Sequence, residues 1–333
     1  MDVSVVCPVF NTDPTLLQAA IRSVLNQSGS HSLELILVDD ASTNASTCSM
    51  LVDIGKSDAR VRVIYQGRNT GPGQARAAGV SQAVHEWIGF IDSDDLWPSD
   101  KLNQADRILR DSPDTRWVAG SHVILRSDGE RQPKLLSQLC SSEEAGKVSY
   151  CLTTPALTKA LISDMPPLGA SLIRKSLFLE SGGFDRRLLY GEDWLFYLRL
   201  STREPMQFSD YRSYVLRRQH ASMMWSAGSM SRKFLRSAQI ARRDPALKFI
   251  RRELRWFYYA TLKGLAMNNA INNRKIKALF FAAKALFIDP RELREFTTFV
   301  RALMTNGKAL DDGLRGYSTA DQIDLTRVVR ERQ

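Results

Sequence analysis

Cysteine and long apolar runs are both scarce in this chain, and each scarcity excludes a class of protein. Only four of the 333 residues are cysteines, with no Cys-x-x-Cys pair, which predicts free thiols in a reducing compartment rather than a disulfide framework. The longest apolar stretch, residues 278–288, is interrupted by Lys284 and is too short to cross a bilayer. A strand-like run follows Met1 directly and leaves no room for a signal peptide, so we expect a cytoplasmic protein.

Acidic residues are in short supply in only one part of the chain. Residues 1–200 contain 20 Lys and Arg against 24 Asp and Glu, whereas residues 201–333 contain 26 against 12. The net charge of +10 is therefore the sum of −4 and +14. This asymmetry predicts two parts with different partners, of which the basic part faces something anionic.

The first hundred residues alternate between strand and helix patterns. Val3–Val9 is a continuous apolar run, as expected for a strand buried on both faces, and Asp13-Pro14 is typical of a helix start. A second helix is predicted over Gln74–Val84. Three further strands are predicted, at Leu33–Val38, Val61–Tyr65 and Trp87–Ile91. This order predicts an α/β fold with a mostly parallel, Rossmann-like sheet flanked by helices.

Polar or acidic residues follow all four predicted strands. In open parallel sheets, ligands bind outside the carboxyl ends of the strands, so these residues are expected to share one edge and one ligand. The four strand ends are Pro8-Val9-Phe10-Asn11, Asp39-Asp40, Asn69-Thr70-Gly71 and Asp92-Ser93-Asp94.

The acidic turn after the fourth strand favours a metal site. Asp92 and Asp94 stand at i and i+2, where both carboxylates can reach one ion. Mg²⁺ or Mn²⁺ is usually held by one or two carboxylates together with phosphate oxygens and water. The competing interpretation is that these residues only cap the next helix, with Asp95 as the cap.

The second strand end and the helix after the third strand favour a nucleotide. One of the carboxylates of Asp39-Asp40 can accept a hydrogen bond from the N3–H of uracil, on which Phe10 can stack, although Asp-rich turns also end strands without any ligand. Arg76 can reach a phosphate or the aspartates, or it can be a solvated helix arginine.

Taken together, these motifs resemble glycosyltransferase family 2, which has the nucleotide-sugar-binding GT-A fold. The resemblance covers about residues 3–225. It rests on Pro-Val-Phe-Asn at 8–11, Val-Asp-Asp-Ala-Ser-Thr at 38–43, Ala-Arg-Ala-Ala-Gly at 75–79, Phe-Ile-Asp-Ser-Asp-Asp at 90–95, Gly-Gly-Phe-Asp at 182–185 and Gly-Glu-Asp-Trp at 191–194.

The resemblance implies a role for each matching residue. Asp94 binds the metal, and His220 is a metal or diphosphate contact unless it is an ordinary surface histidine. The residues implied in donor binding are Pro8, Phe10, Asn11, Asp39, Asp40, Gly71, Arg76, Asp92 and Ser93. The glycines at 182 and 183 are expected to form a turn that approaches the donor sugar.

The Gly-Glu-Asp-Trp motif is implied to form the acceptor site. Transfer with inversion needs one base to take the proton of the acceptor hydroxyl, and the resemblance assigns this role to Asp193 rather than Glu192. The competing interpretation makes the two carboxylates an N-cap pair for a helix over Trp194–Leu200. In a mixed interpretation, one carboxylate caps the helix while the other does chemistry.

Residues 226–333 are predicted to form a basic helical region beside a catalytic domain at 1–225. Arginines and lysines recur between apolar residues from about residue 231, and the aromatic run Trp256–Tyr259 follows. Either the aromatics pack inward with the arginines solvated, or the region meets an anionic membrane with aromatics at the interface. Specific nucleic-acid binding lacks a recognition motif.

The sequence thus predicts a metal-dependent, inverting glycosyltransferase, expected to be a hexosyltransferase. Its donor would be a nucleotide-diphosphate sugar, expected to be UDP-linked, and its acceptor a glycan or lipid-linked glycan. The expected setting is bacterial surface or extracellular polysaccharide biosynthesis, at the inner face of the cytoplasmic membrane. The alternatives are a nucleotidyltransferase, whose glycine-rich basic first loop is missing here, and a basic nucleic-acid-binding protein.

Overall fold

The computed structural model describes residues 1–139, 150–218 and 229–304. Backbone contacts divide the chain into two compact units, Met1–Leu161 with Met165–His220, and Ile162–Asp164 with Ala221–Gln333. The predicted domain boundary at residue 225 lies outside the described residues and stays a prediction.

The first unit is built on four parallel strands whose carboxyl ends lie at one edge. Their spatial order is β3-β2-β1-β4, and Val9 of β1 lies beside the end of β2. The predicted strands are confirmed with bounds that differ by at most one residue. The strands are β1 (Asp2–Val9), β2 (Ser32–Asp39), β3 (Val61–Tyr65) and β4 (Trp87–Phe90).

Five further strands extend the sheet in mixed orientation. Beyond β4 the order continues β8-β5-β9-β7, and β6 pairs with β5. Strand β9 runs parallel to β5 and antiparallel to β7. These strands are β5 (Trp117–Arg126), β6 (Arg131–Lys134), β7 (Tyr150–Leu152), β8 (Ser171–Arg174) and β9 (Met206–Arg218).

Seven helices belong to the described part of this unit, and local chemistry explains where two of them begin. The Asp13 side chain accepts hydrogen bonds from the backbone of α1, which starts at Pro14 as predicted. Helix α3 follows Gly71, whose φ of +87° favours glycine. The helices are α1 (Pro14–Leu25), α2 (Ala45–Ser57), α3 (Pro72–Gln82), α4 (Lys101–Asp111), α5 (Ala156–Ser163), α6 (Lys175–Glu180) and α7 (Glu192–Ser201).

Small residues bring α3 close to the sheet. A Cβ atom on Gly79 would lie 2.3 Å from a methyl group of Val6 in β1, so no larger side chain fits without displacement. This contact holds the N-terminal half of α3, which carries Arg76, against the sheet near the carboxyl edge of the strands. In the same unit, buried Cys7 and half-buried Cys48 form no disulfide, in agreement with the prediction of free thiols.

The second unit is helical in its described residues, and its aromatic run packs inward. Phe257, Tyr258 and Tyr259 are buried; the ring of Phe257 contacts Phe234, and the guanidinium of Arg242 lies 4.5 Å from the Tyr258 ring. The interpretation in which these aromatics lie at a membrane interface is therefore wrong for these three residues. The helices are α8 (Ser229–Ala241), α9 (Arg251–Ile271), α10 (Lys275–Ile288) and α11 (Leu293–Met304).

Among the helices of the described residues, none combines the length and the hydropathy that a bilayer crossing requires.

Candidate functional site

Arg76 joins two acidic motifs that lie about a hundred residues apart in the chain. Its guanidinium donates to a carboxylate oxygen of Asp92 and, at 3.1 Å, to Oε1 of Glu192. The arginine is buried at 7% exposure, so the interpretation as a solvated helix arginine is wrong. Burial opposes its charge, yet the carboxylates of Asp92 and Glu192 raise the pKa of Arg76 above its ordinary value.

The acidic turn after β4 is held in shape by strand β9. The Tyr214 hydroxyl donates to Oδ2 of Asp95 at 2.7 Å and accepts from the backbone N–H of Asp92 at 3.1 Å. Arg217 donates its backbone N–H to Oδ1 of Asp95 at 2.7 Å and its Nε–H to the backbone carbonyl of Asp94. Both side chains are therefore positioning residues for the turn.

These contacts overturn the helix-cap interpretation of Asp95. Both of its carboxylate oxygens accept from β9, and α4 begins only after Asp100. Sequence reasoning missed Tyr214 and Arg217, which lie 119 or more residues from their partners. Nothing local distinguishes them from other polar residues on a half-buried strand.

Asp94 lies in an environment with excess negative charge. Burial and the neighbouring carboxylate of Asp92 both raise the pKa of Asp94 above its ordinary value. A cation at this position would relieve the repulsion. The Ser93 hydroxyl beside it lies 2.6 Å from the hydroxyl of Thr12, which connects the turn to the loop after β1.

The Gly-Glu-Asp-Trp motif supplies the N-cap residue and the first residues of α7. Glu192 and Asp193 are the first two residues of the helix, and the N-cap is Gly191, with a φ of +69° and no side chain to contribute. The interpretation of Glu192 and Asp193 as an N-cap pair is therefore wrong, although Asp193 does accept from a backbone N–H at the start of the helix. Glu192 is 5% exposed and paired with Arg76, whereas Asp193 is half-buried and accepts from the backbone N–H of Trp194 at 2.7 Å.

Burial raises the pKa of both motif carboxyls. For Glu192, burial and the charge of Asp193 raise the pKa to about 7; for Asp193, burial raises the pKa, and the nearby charge of Arg76 opposes part of that rise. A carboxylate with a raised pKa is a stronger base than an ordinary aspartate.

Glycine at position 73 lets the two helix starts approach each other. A Cβ atom there would lie 2.6 Å from Cγ of Glu192, so the first turn of α3 admits Glu192 only because position 73 has no side chain. The close approach is what brings Glu192 within hydrogen-bonding distance of Arg76.

The predicted nucleobase residues gather around the loops after β2 and β3. Asp40 accepts from the backbone N–H groups of Thr70 and Gly71, both at 2.8 Å, one at each carboxylate oxygen. It is 3% exposed. Asp40 therefore braces the loop before α3, a role that the spacing did not predict.

Asn11 and Asp39 also make contacts within this edge. The Asn11 amide oxygen accepts from the backbone of Thr43 at 2.7 Å, and Asp39 accepts from the backbone of Ser42 at 3.1 Å. By contrast, Phe10 is 44% exposed, and half-buried Pro8 precedes it at the end of β1. Phe10 therefore offers an open aromatic face at the mouth of the site.

The Gly-Gly-Phe-Asp motif forms the predicted turn. Gly182 and Gly183 have φ values of +80° and +58°, and Phe184 packs in the core against Phe178. Asp185 accepts from Arg199 of α7 at 3.2 Å, which fixes the turn to that helix. The predicted approach of this turn to a donor sugar stays a prediction, and His220 lies outside the described residues.

The acidic turn offers the donor atoms that a divalent cation needs. Carboxylate and hydroxyl oxygens of Asp92, Ser93 and Asp94 suit Mg²⁺ or Mn²⁺, which usually takes only one or two carboxylates from a protein. Within residues 1–139, 150–218 and 229–304, no three His, Cys, Asp or Glu side chains converge on one point. The oxygens of Asp92, Ser93 and Asp94 fit an ion that takes its other ligands from a phosphate and water.

Comparison with known proteins finds sequence similarity to one family over the first part of the chain. Residues 4–157 match the model of glycosyl transferase family 2. An uncharacterized glycosyltransferase of Haemophilus influenzae is 40% identical over 102 residues, which are 31% of this chain and 40% of that protein. The succinoglycan biosynthesis protein ExoO of Rhizobium meliloti is 41% identical over 103 residues, 31% and 28% of the two chains. The chain thus spans less than half of either relative.

Solved structures show the same fold over most of the chain. The crystal structure of S. aureus TarS 1–349 in complex with UDP-GlcNAc aligns with a TM-score of 0.63 and 17% sequence identity, over 96% of this chain and 90% of that one. The predicted α/β fold of the GT-A class is thereby confirmed. Through residues 4–157, which are less than half of the chain, the protein is similar to glycosyltransferase family 2.

Proposed function

We propose that this protein is a metal-dependent, inverting glycosyltransferase that moves a hexose-type sugar from a UDP-sugar to a glycan or lipid-linked glycan. The observation that carries the proposal is the buried Arg76, which ties the acidic turn at Asp92 to the Gly-Glu-Asp-Trp helix at Glu192. That contact joins the turn that we assign to the diphosphate with the motif that we assign to the acceptor.

The donor end of the site is formed by the loops after β1, β2 and β3. Phe10 stacks on the uracil, and Asp40, held by Thr70 and Gly71, accepts from N3–H through a remaining lone pair. The complex of TarS with UDP-GlcNAc supports a UDP-sugar, because the two proteins share a fold.

The acceptor end is formed by the first turn of α7. Asp193 takes the proton of the acceptor hydroxyl while the oxygen of that hydroxyl attacks the anomeric carbon of the sugar from the face opposite the leaving group. The bond from that carbon to the diphosphate breaks, UDP departs with the electron pair, and the configuration inverts. Half-buried Asp193 suits this role better than Glu192, which is buried and paired with Arg76.

Arg76 and Glu192 position the reacting groups. Arg76 holds Asp92 in place and adds positive charge next to the diphosphate. Asp94, with Asp92, would hold Mg²⁺ or Mn²⁺, which when bound supplies charge neutralisation to the leaving diphosphate. The raised pKa of Asp94 is consistent with a carboxylate that stands beside a cation during turnover.

The setting we propose is assembly of a bacterial surface or extracellular polysaccharide. ExoO, a succinoglycan biosynthesis protein, supports this setting by similarity. A cytoplasmic location on the inner face of the membrane stays a prediction. No contact in the described residues favours a nucleotidyltransferase or a nucleic-acid-binding protein.

The proposal is tested with a panel of donors. UDP-, GDP- and dTDP-linked sugars are incubated with the protein, Mn²⁺ and polysaccharide precursors, and release of the nucleoside diphosphate is measured. We expect release from a UDP-sugar above the rates from GDP- and dTDP-sugars. Selective release from a GDP-sugar would overturn the assignment of uracil recognition.

Asp40 provides a separate test of donor binding. Asp40→Ala removes the hydrogen bond to the base and the hydrogen bonds that hold the loop at Thr70 and Gly71. A hydrogen bond to a charged group contributes about 1.5–3 kcal/mol. UDP affinity should therefore fall by at least about tenfold. Titration calorimetry with UDP measures the change.

Thr70→Val is the matched control for the Asp40 variant. It removes one side-chain contact to Asp40, 3.1 Å long, and leaves the carboxylate in place, so UDP affinity should change by less than about threefold. Equal losses in both variants would mean that Asp40 acts only through the loop.

A further inference from the structure

Helix α10 carries a row of exposed apolar side chains on one side. Ile276, Phe280 and Phe287 are 85%, 53% and 86% exposed. Their spacing of four and seven residues places them along a single stripe of an α-helix. Ala278 lies on the opposite side and is buried in a cluster with residues of α9 and α11. We call these three exposed residues the α10 stripe.

The charged residues of α10 itself are all positive. Lys275, Lys277 and Lys284 are exposed on the same helix, which contains no acidic residue. The Lys284 ammonium lies 4.3 Å from the centre of the Phe280 ring, so a cation and an aromatic face are presented together. The acidic residue that follows the helix, Asp289, is buried and paired with Arg291.

We propose that the α10 stripe binds the surface of an anionic phospholipid bilayer, with α10 lying in the plane of the headgroups. An interfacial helix needs an apolar face that enters the acyl boundary and basic residues beside it that meet lipid phosphates. The α10 stripe provides the first, and the three lysines provide the second. With 14 residues, the helix is about 21 Å long, which suits a position along the surface.

Charge favours lipid over a second copy of the chain as the occupant. Pairing two α10 stripes would bring like-charged lysines together, and this part of the chain, residues 201–333, has a formal charge of +14. An anionic surface instead neutralises those lysines while it covers the phenylalanine rings. This inference concerns the second unit alone and does not depend on the proposed glycosyl transfer.

Vesicle binding by the full chain tests the proposal. The probes are vesicles of phosphatidylglycerol mixed with phosphatidylcholine, and vesicles of phosphatidylcholine alone, with binding measured by co-sedimentation. We expect binding to the anionic vesicles that weakens as salt is raised. Phe280→Ser with Phe287→Ser should lower the partition coefficient at least about tenfold. Lys277→Gln with Lys284→Gln should lower it by a similar factor and flatten the salt dependence.

A matched control replaces two exposed apolar residues of the first unit. Val84 and Leu179 are 68% and 60% exposed, and Val84→Ser with Leu179→Ser should leave vesicle binding unchanged. Unchanged binding by the phenylalanine variant, with its helical circular dichroism intact, would overturn the proposal. A second result would also overturn it: the wild-type protein sediments as a dimer and binds no vesicles, and the phenylalanine variant sediments as a monomer. The α10 stripe would then be a self-association surface.

Discussion

Asp193→Asn is expected to lower turnover by about 10²–10⁴-fold, the usual effect of losing a positioned general base. The substitution keeps the shape of the side chain and the oxygen that accepts from the Trp194 backbone, so α7 should still form. UDP affinity, measured by calorimetry, should remain near that of the wild type, because Asp193 contacts the acceptor rather than the nucleotide. Steady-state rates of UDP release measure the loss.

The control for this variant is Glu192→Gln in the same helix turn. Glu192 is paired with Arg76, and a glutamine oxygen can still accept from that guanidinium, so Glu192→Gln should fold like the wild type and reduce turnover less than Asp193→Asn does. A dead Glu192→Gln beside an active Asp193→Asn would reverse the assignment. Full activity in both would mean that the motif is structural.

The pH profile provides a further readout for the base. Burial raises the pKa of Asp193, and a base acts only when it is ionised. Turnover should therefore be lost, as the pH falls, at a higher pH than an ordinary aspartate would give. At pH values above the pKa of Asp193 the base is ionised, so turnover should no longer change with pH through this residue.

Asp94→Ala should lower turnover by at least about 10²–10³-fold, comparable to the loss of a main charge-stabilising group for the leaving diphosphate. EDTA should silence the wild-type enzyme, and added Mn²⁺ should restore it. A readout besides activity is the paramagnetic resonance of Mn²⁺, whose binding in the presence of UDP should weaken in the variant. The experiments belong near neutral pH, because the pKa of Asp94 is raised.

Asp100→Asn is the matched control for the metal variant. Asp100 is exposed and stands before α4 without capping it through its side chain, so both activity and Mn²⁺ binding should stay within about twofold of the wild type. Full wild-type activity in EDTA, or unchanged Mn²⁺ binding by Asp94→Ala, would remove the metal from the proposed reaction.

Much of the first unit could be predicted from the sequence because its signals are local. Val3–Val9 and Val61–Tyr65 are short apolar runs, and Asp13-Pro14 combines a cap with a residue that suits the first helical turn. Parallel strands joined by helices must then bring their carboxyl ends to one edge. The grouping of Asp40, Asn11 and the acidic turn at that edge followed from this geometry.

The side-chain partners within the site could not be predicted in the same way. Arg76 and Glu192 are 116 residues apart, and their pairing depends on Gly73, which leaves space for Glu192. Tyr214 and Arg217 hold the acidic turn from a strand whose pairing is set by the whole sheet. Such contacts arise from the packing of distant elements, which no local period encodes.

By itself, then, the sequence determined the order of strands and helices, the edge at which the motifs meet, and the family whose model residues 4–157 match. Only the tertiary structure decided which carboxylate of the Gly-Glu-Asp-Trp motif is paired and which is half-buried, and which aromatics face outward. Tyr258 of α9 and Phe287 of α10 both lie in apolar helical runs, yet one is 8% and the other 86% exposed. The physical reason is that a helix with apolar residues on every side buries only the face that neighbouring helices cover. Which face they cover depends on tertiary packing, and the periodicity of the helix sequence does not determine it.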